Sequence, residues 1–550
     1  MIIQTGHPPD LERLIAELSE PGALGPGARR VEIRQTHISV VFLTGEDAFK
    51  IKKPVALGFL DFSTLERRRH SCREEVRLNR RLAPGVYRGV VPIVEDADGR
   101  LRIGSEPEEE GAVEWAVRMR RLPDEATLLA RLRAGELQPA MLRALARRLA
   151  RFHARAPRSA RIAHFGTWGV IERNAAENFA QSAGLVGTTL SRQVHDRLAA
   201  LTQAELERHR RVIAERAQRG VPCETHGDLH LDHVYAFPDR EPPEDLVVID
   251  CIEFNERFRH ADPIADVAFL AMDLRFYWRG DLADAFTEAY IRAAGDEEGR
   301  RLLPFYVAYR AAVRAKVAGF ELDEAEIPDD ERRDALRRAR AHWLLALGAL
   351  ERPGRRPCLL LVGGLPGTGK TTLAHGLARA AGFRVIRSDV VRKELAGVAP
   401  DASDPSRFEE GIYTPAFTER TYAECLRRAE EALFAGERVV VDATFRERAR
   451  REAFADAARA LGVPSAFAVT TASAGVVRDR LARRERDASD ADWAIHCDVA
   501  QRWERPRPRA VCPWRAITTR GGPGAAVARA LAWLAELGLH GGPTRAERAP

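Results

Sequence analysis

The residue pattern with the plainest chemistry is Gly364-Leu365-Pro366-Gly367-Thr368-Gly369-Lys370-Thr371, which satisfies G-x-x-x-x-G-K-[ST] at every fixed position. Its glycines let successive backbone N–H groups turn inward around phosphate oxygens. Lys370 brings a compact ammonium to the β/γ-phosphates, and the Thr371 hydroxyl can ligate Mg²⁺. An apolar run, Cys358–Val362, reads as a strand before this loop. Thr372 opens the helical pattern Thr372–Ala381 after it, so the positive end of a helix faces the anion.

The elements that must hold this loop alternate in type. Strands are predicted at Cys358–Val362, Phe383–Ser388, Arg438–Asp442, Ser465–Thr470 and Ala516–Thr519, with helices between them, which is the pattern of a parallel sheet covered on both faces. Ligands of such sheets bind at strand ends. Asp389 follows the second strand, and Asp442 ends the apolar run Val439–Asp442, where a metal-holding acid belongs. A later helix carries Arg478, Arg480, Arg483 and Arg484, which can close over phosphates.

The rest of the chain has a different texture. Ile38–Leu43 and Ala48–Lys53 read as a hairpin around Thr44–Asp47, followed by a charged helix Thr64–Leu82 and a strand Glu114–Arg120. From about Thr127 the pattern is mostly helical, apart from a loop and a short strand between Asp228 and Asp250. The basic run Arg143–Arg158 has Leu and Ala at helical spacing and reads as an amphipathic helix. Glu106–Glu110 reads as an acidic surface turn. The segment Glu351–Pro357, rich in Pro, Gly and charge, is the expected linker. The expected organisation is thus a domain over 1–350, a linker over 351–357, a second domain over 358–540 and a disordered tail over 541–550.

Composition narrows the function classes. The net charge of +6 over 550 residues is too small to call for a nucleic-acid partner. Seven scattered cysteines without a CxxC pair fit reduced thiols, and no apolar run approaches membrane-spanning length, so a soluble cytoplasmic protein is expected. Lysine is scarce: Lys50, Lys52, Lys53, Lys316, Lys370 and Lys393 are the complete set. A lysine kept in so arginine-rich a chain marks a position where a point charge can matter more than a planar fork.

Over roughly Cys358 to Leu537 the sequence resembles the small P-loop kinases of the gluconate kinase, polynucleotide kinase and zeta-toxin type. The resemblance implies that Asp389 acts as base toward an accepting hydroxyl, that Arg392 grips an anionic substrate, and that Arg480 and Arg484 belong to a lid. In the first block, His226-Gly-Asp-Leu-His-Leu-Asp-His233, with Asp250 after the strand Leu246–Ile249, resembles the aminoglycoside phosphotransferase branch of the protein-kinase-like fold. By that resemblance Asp228 takes or orients the substrate hydroxyl proton, and Asp250 holds Mg²⁺. The family's Asn position is filled here by His233. Either His233 takes the metal role, or Asp232 does, or the site uses another metal, or the domain binds nucleotide without transfer. Lys50 fits the phosphate-pairing lysine and Glu75 its ion-pair partner. Lys52, on the same strand face, and Glu74 remain alternatives. The segment Asp262-Pro-Ile-Ala-Asp266 resembles the family's loop-positioning G-D-P-x-x-D, with Ala261 at the Gly position. His226 is expected to prop its own loop, and Glu253 and Asn255 to face substrate.

Taken together, the two blocks resemble bacterial proteins described as bifunctional aminoglycoside phosphotransferase-like/ATP-binding proteins. The fold expected is an N-terminal α+β protein-kinase-like domain and a C-terminal α/β P-loop kinase domain with a parallel sheet. The expected function is ATP- and Mg²⁺-dependent transfer of the γ-phosphate to a hydroxyl of a small molecule at two nucleotide sites. Two other readings stay open: an ATP-sensing regulator with one degenerate domain, or a kinase of nucleotides or nucleic-acid ends.

Overall fold

Alternating side chains in Ser39–Leu43 and Asp47–Lys52 give a hairpin whose two faces bury different partners. In the structure, a computed structural model, the residues described are 10–25, 29–58, 60–104, 111–323, 327–399, 411–483, 491–507 and 512–541. By packing they form two units, Met1–Ile171 with His209–Tyr306, and Glu172–Arg208 with Val307–Pro550.

In the first unit the hairpin belongs to a six-stranded antiparallel sheet. Its order is Glu32–Gln35, Ser39–Leu43, Asp47–Lys52, Ala112–Arg120, Tyr87–Glu95, Leu101–Ile103. Phe49 and Ile51 pack on one face with Phe42, Ile93 and two leucines of the helix Leu11–Leu18. Ala48 packs on the other, with Cys72 and Val76 of the helix Leu65–Asn79. That helix starts where Thr64 caps the Arg67 N–H, and it ends at Asn79, three residues short of the predicted Leu82. Lys50 and Lys52 share the Ala48 face, as period-two alternation requires. The remainder of the unit is helical. Pro139–Arg155 buries its Leu and Ala stripe, as expected from the basic run. Pro263–Phe276 is buried on every side from Pro263 to Leu274, so it is an internal helix rather than an amphipathic one.

The second unit holds a five-stranded parallel sheet in the order Phe383–Arg387, Arg438–Asp442, Cys358–Gly363, Ser465–Thr471, Trp514–Thr518. The strand leading to the glycine-rich loop is central and fully buried. The helix Lys370–Ala381 follows, starting two residues earlier than predicted because Gly369 at φ 94 turns the chain directly into it. The last strand begins at Trp514 rather than Ala516.

Packing divides the chain differently from a boundary at 351–357. The helix Asp329–Leu350 and residues 172–208 group with the parallel sheet. Glu351 accepts from Arg197 Nε, and the Arg197 guanidinium also donates to the Gly436 carbonyl at 3.1 Å. Gly462, at φ 70, sits against the Ala341 carbonyl, so a Cβ there would collide with backbone. The acidic run 106–110 and residues 542–550 of the expected tail lie outside the described residues.

These contacts yield a paired test. Gly382 also has a left-handed φ of 66, but nothing lies within 4 Å of a built Cβ. Gly382→Ala should cost about 1–2 kcal/mol from backbone strain. Gly462→Ala should cost roughly 1–3 kcal/mol more, from overpacking against the helix Asp329–Leu350. Urea unfolding of both variants reads the difference, and equal costs would remove the docked helix from this unit.

Candidate functional site

In the first unit the site is built around buried charge. Glu75, fully buried on the helix Leu65–Asn79, accepts from Lys50 Nζ at 3.0 Å and from Lys52 Nζ. The two lysines then diverge. Lys50 also donates to Asp250 Oδ1 at 2.6 Å, whereas Lys52 turns to Glu253, away from solvent. Lys50, not Lys52, is therefore the ammonium beside Asp250. Glu74 is occupied by Arg77 at the surface, so Glu75 is the inner acid. Burial opposes the Lys50 charge, but Asp250, Glu75 and Glu253 outweigh it and hold its pKa well above the ordinary value. Burial likewise opposes the Asp250 carboxylate, and Lys50 and His233 reverse the balance, so its pKa is depressed. Asp250 adopts a left-handed φ of 64, uncommon for a residue with a side chain and frequent at functional turns. Its N–H meets Tyr87 Oη at 3.2 Å, and the next N–H is held by Asn79 Oδ1 at 2.9 Å.

The loop carrying Asp228 hangs from one carboxylate. Asp266 accepts the His226 N–H at 2.7 Å and the Gly227 N–H at 2.9 Å. It also accepts from His153 Nε2 at 3.2 Å, which leaves His153 Nδ1 to accept from Tyr290 Oη at 2.8 Å. Burial disfavours this carboxylate, but the hydrogen bonds from His153 and the His226 N–H outweigh it and bring its pKa down to about 2. The Asp-Pro-x-x-Asp segment thus positions the loop, and His226 props it through Ile249 O at 2.9 Å. His233 Nδ1 donates to the Asp228 carbonyl at 2.9 Å, and its Nε2 is 3.5 Å from Asp250 Oδ2. Burial, with His230 close by, lowers the His233 pKa to about 4, so the ring is neutral at pH 7. Asp232 is exposed, with Oδ2 3.8 Å from His230 Nδ1. Glu253 and Asn255 do not meet the expectation of facing substrate. Glu253 is the buried partner of Lys52, and Asn255 caps the helix Glu256–Arg259.

In the second unit Gly364, Gly367 and Gly369 take φ of 140, 78 and 94, the left-handed values that wrap a loop around an anion. Leu365, Pro366 and Thr368 complete it, and their side chains and carbonyls tie it to the sheet. Thr368 Oγ1 bonds the Leu365 carbonyl and Thr470 Oγ1, each at 2.7 Å, and His496 Nδ1 donates to the Pro366 carbonyl at 2.8 Å. Lys370 Nζ donates to the Leu365 carbonyl at 3.2 Å. Thr371 Oγ1 donates to Asp442 Oδ2 at 2.6 Å, so the two expected metal-holding oxygens meet at the end of the central strands. Burial raises the Asp442 pKa, with Lys370 and Thr371 opposing it. This all-oxygen pair suits Mg²⁺.

A cavity of about 810 Å³ opens over the loop, and Thr372, Asp389, Arg392, Asp442 and Arg480 all line it. Arg480 braces the loop, donating to Thr519 Oγ1 at 2.9 Å and toward the Thr368 carbonyl at 3.4 Å. Arg392 is buried, stacks 5.0 Å from the Tyr413 ring centre, and donates to the Ile412 carbonyl at 2.6 Å. Arg484 lies outside the described residues. The sequence reading missed His496, Thr470 and Thr519. The one legible signal was Trp493 and His496 inside a charged stretch, where their stacked rings set His496 on the loop.

The uncharacterized protein Rv2004c of Mycobacterium tuberculosis is 35% identical over 476 residues, covering 86% of this chain and 90% of its own. The Mycobacterium bovis protein Mb2027c matches to the same extent. Residues 59–305 match the phosphotransferase enzyme family, and residues 359–506 match a family described as an AAA domain. The chain belongs to the family that joins an aminoglycoside-phosphotransferase-like domain to a P-loop kinase-like domain. Similar solved structures include a choline/ethanolamine kinase family protein from Mesorhizobium loti, with TM-score 0.35, 14% identity, and coverage of 62% of this chain and 98% of that one. A gluconokinase from Sinorhizobium meliloti 1021 has TM-score 0.24, 23% identity, and coverage of 34% and 95%. By its two family matches the chain joins a phosphotransferase-family domain to a P-loop domain. Among its described residues no helix is long and apolar enough to cross a membrane.

Asp266→Asn should leave one of two buried backbone N–H groups without an acceptor. The expected loss is about 2–4 kcal/mol in denaturant unfolding. Hydrogen exchange at His226 and Gly227 should accelerate together, and unchanged protection there would contradict the loop-hanging role.

Proposed function

We propose that this protein is an ATP-dependent small-molecule kinase with two nucleotide sites, each transferring the γ-phosphate to a hydroxyl. The observation that carries the reading is the Thr371–Asp442 contact at the base of a cavity that Asp389 and Arg392 also line. In the second unit the turned-in amides of Gly364–Thr372 bind the β- and γ-phosphates, and Lys370 leaves the Leu365 carbonyl to join them. Thr371 and Asp442 would hold Mg²⁺, which would supply positive charge against the phosphates. Asp389 accepts the proton of the attacking hydroxyl, and Arg392 orients the acceptor. Arg480, already against the loop, stabilises charge on the transferring group. Arg446, Arg450 and Arg483 share the cavity with Glu447, which pairs with the first two, and the excess of arginine favours an acceptor that itself bears negative charge.

In the first unit Lys50, held by Glu75, binds nucleotide phosphates. Asp228 orients the acceptor hydroxyl and takes its proton, and Asp250 with His233 would hold a divalent ion. The buried free cysteines fit a reducing compartment such as the cytoplasm.

Radiolabelled ATP supplied with a metabolite extract tests this reading. Lys370→Ala should lower phosphate transfer to the acceptors of the second site by at least about 100-fold, and Asp228→Asn should do the same for a separate set. If neither substitution changes ATP consumption or acceptor labelling, the enzyme reading fails. If only Lys370→Ala acts, the first unit is a nucleotide sensor.

A further inference from the structure

The loop after Asp228 holds two imidazoles where phosphate chemistry alone needs none. The rings of His230 and His233 lie 3.7 Å apart, centre to centre, and are tilted by 38°. His233 Nδ1 bonds the Asp228 carbonyl, and a carbonyl only accepts, so Nδ1 carries the proton and Nε2 keeps its lone pair. That is the arrangement of a metal-ligating histidine, whose second nitrogen is commonly fixed by donating to a carbonyl. Asp250 divides its oxygens correspondingly. Oδ1 takes Lys50, and Oδ2 lies 3.5 Å from His233 Nε2.

Two acceptor atoms 3.5 Å apart repel unless a cation lies between them. The spacing is also too long for a hydrogen bond. It matches the separation of two ligands on one ion, about 3.0–3.5 Å when each bond is about 2.1 Å. Beside this pair, His230 Nε2 is 3.6 Å from Asp228 Oδ2, and Asp228, His230 and His233 form a group of their own, with ligand atoms within 4.8 Å of one another, that does not include Asp250.

We infer that the N-terminal site takes a first-row divalent transition ion, from Mn²⁺ to Zn²⁺, in preference to Mg²⁺, with His233 Nε2 and Asp250 Oδ2 as its protein ligands. Mg²⁺ favours oxygen donors and dehydrates reluctantly, whereas imidazole nitrogen strengthens binding of the transition ions. The inference rests on reading Asp250 as a metal-holding residue, and it distinguishes this site from the all-oxygen Thr371–Asp442 pair.

The test uses the full-length protein with ¹⁵N-labelled histidine and Mn²⁺ as the sole added ligand. Electron-spin-echo modulation should show an imidazole nitrogen coupled to bound Mn²⁺. His233→Asn should abolish the coupling, and His233→Gln provides a second variant should the first fail to fold. In calorimetric competition the wild-type site should favour Mn²⁺ over Mg²⁺ by at least about 10-fold, and His233→Asn should erase most of that ratio. Bound Mn²⁺ without nitrogen coupling, coupling that persists in a folded His233 variant, equal affinity for Mg²⁺, or no Mn²⁺ binding would each overturn the inference. The nitrogen signal is independent of catalysis. Loss of transfer in Asp228→Asn with no nitrogen signal would leave the kinase reading standing, and the reverse result would leave the metal site standing.

Discussion

Charge taken out of water must find a partner, and the buried carboxylate of Glu75 shows how much of the first unit follows from that. It lies on a helix, and its two lysines lie on a strand that alternation turns toward the same side. Glu75 without either lysine would be a buried, uncompensated charge, which costs several kcal/mol. Lys52 is locked inward by Glu253. Lys50 is left at the edge, shared between Glu75 and Asp250. The helix, the strand and the Asp250 turn are therefore fixed relative to one another by a single ionic cluster rather than by apolar packing alone.

The second unit meets the same constraint with backbone. Its loop offers N–H groups instead of a lattice of side-chain charges, which requires left-handed glycines and a firm anchor for the carbonyls that turn outward. Thr470, Thr519, His496 and Arg480 supply that anchor. Apart from Arg480, the anchoring groups are hydroxyls and an imidazole, so the loop can be held rigid without cancelling the positive potential it presents.

Much of this was legible in the sequence, for identifiable reasons. The glycine spacing of the loop and the run ending at Asp442 are local patterns, and both landed on a strand end. Strand alternation placed Lys50 and Lys52 on one face. It could not choose between them, because the choice is made by Asp250, two hundred residues away. Glu253 was misread for the same reason: nothing local says that a glutamate after the Asp250 turn will be drawn into the core by Lys52. The helix Asp329–Leu350 lies in the stretch read as mostly helical from about Thr127, and its packing with the parallel-sheet unit was not legible there. An amphipathic pattern says that a face is buried, not against which sheet. Asn79, Tyr87 and Thr519 escaped because single polar residues serving backbone groups carry no motif.

The central claim is that one chain holds two nucleotide sites of different construction. Equilibrium dialysis of the full-length protein with a non-hydrolysable ATP analogue, in buffer containing both Mg²⁺ and Mn²⁺, measures this directly. The account predicts two analogues per chain in the wild type, one in Lys370→Ala and one in Lys50→Ala. A single analogue per wild-type chain, abolished by Lys370→Ala and untouched by Lys50→Ala, would contradict it.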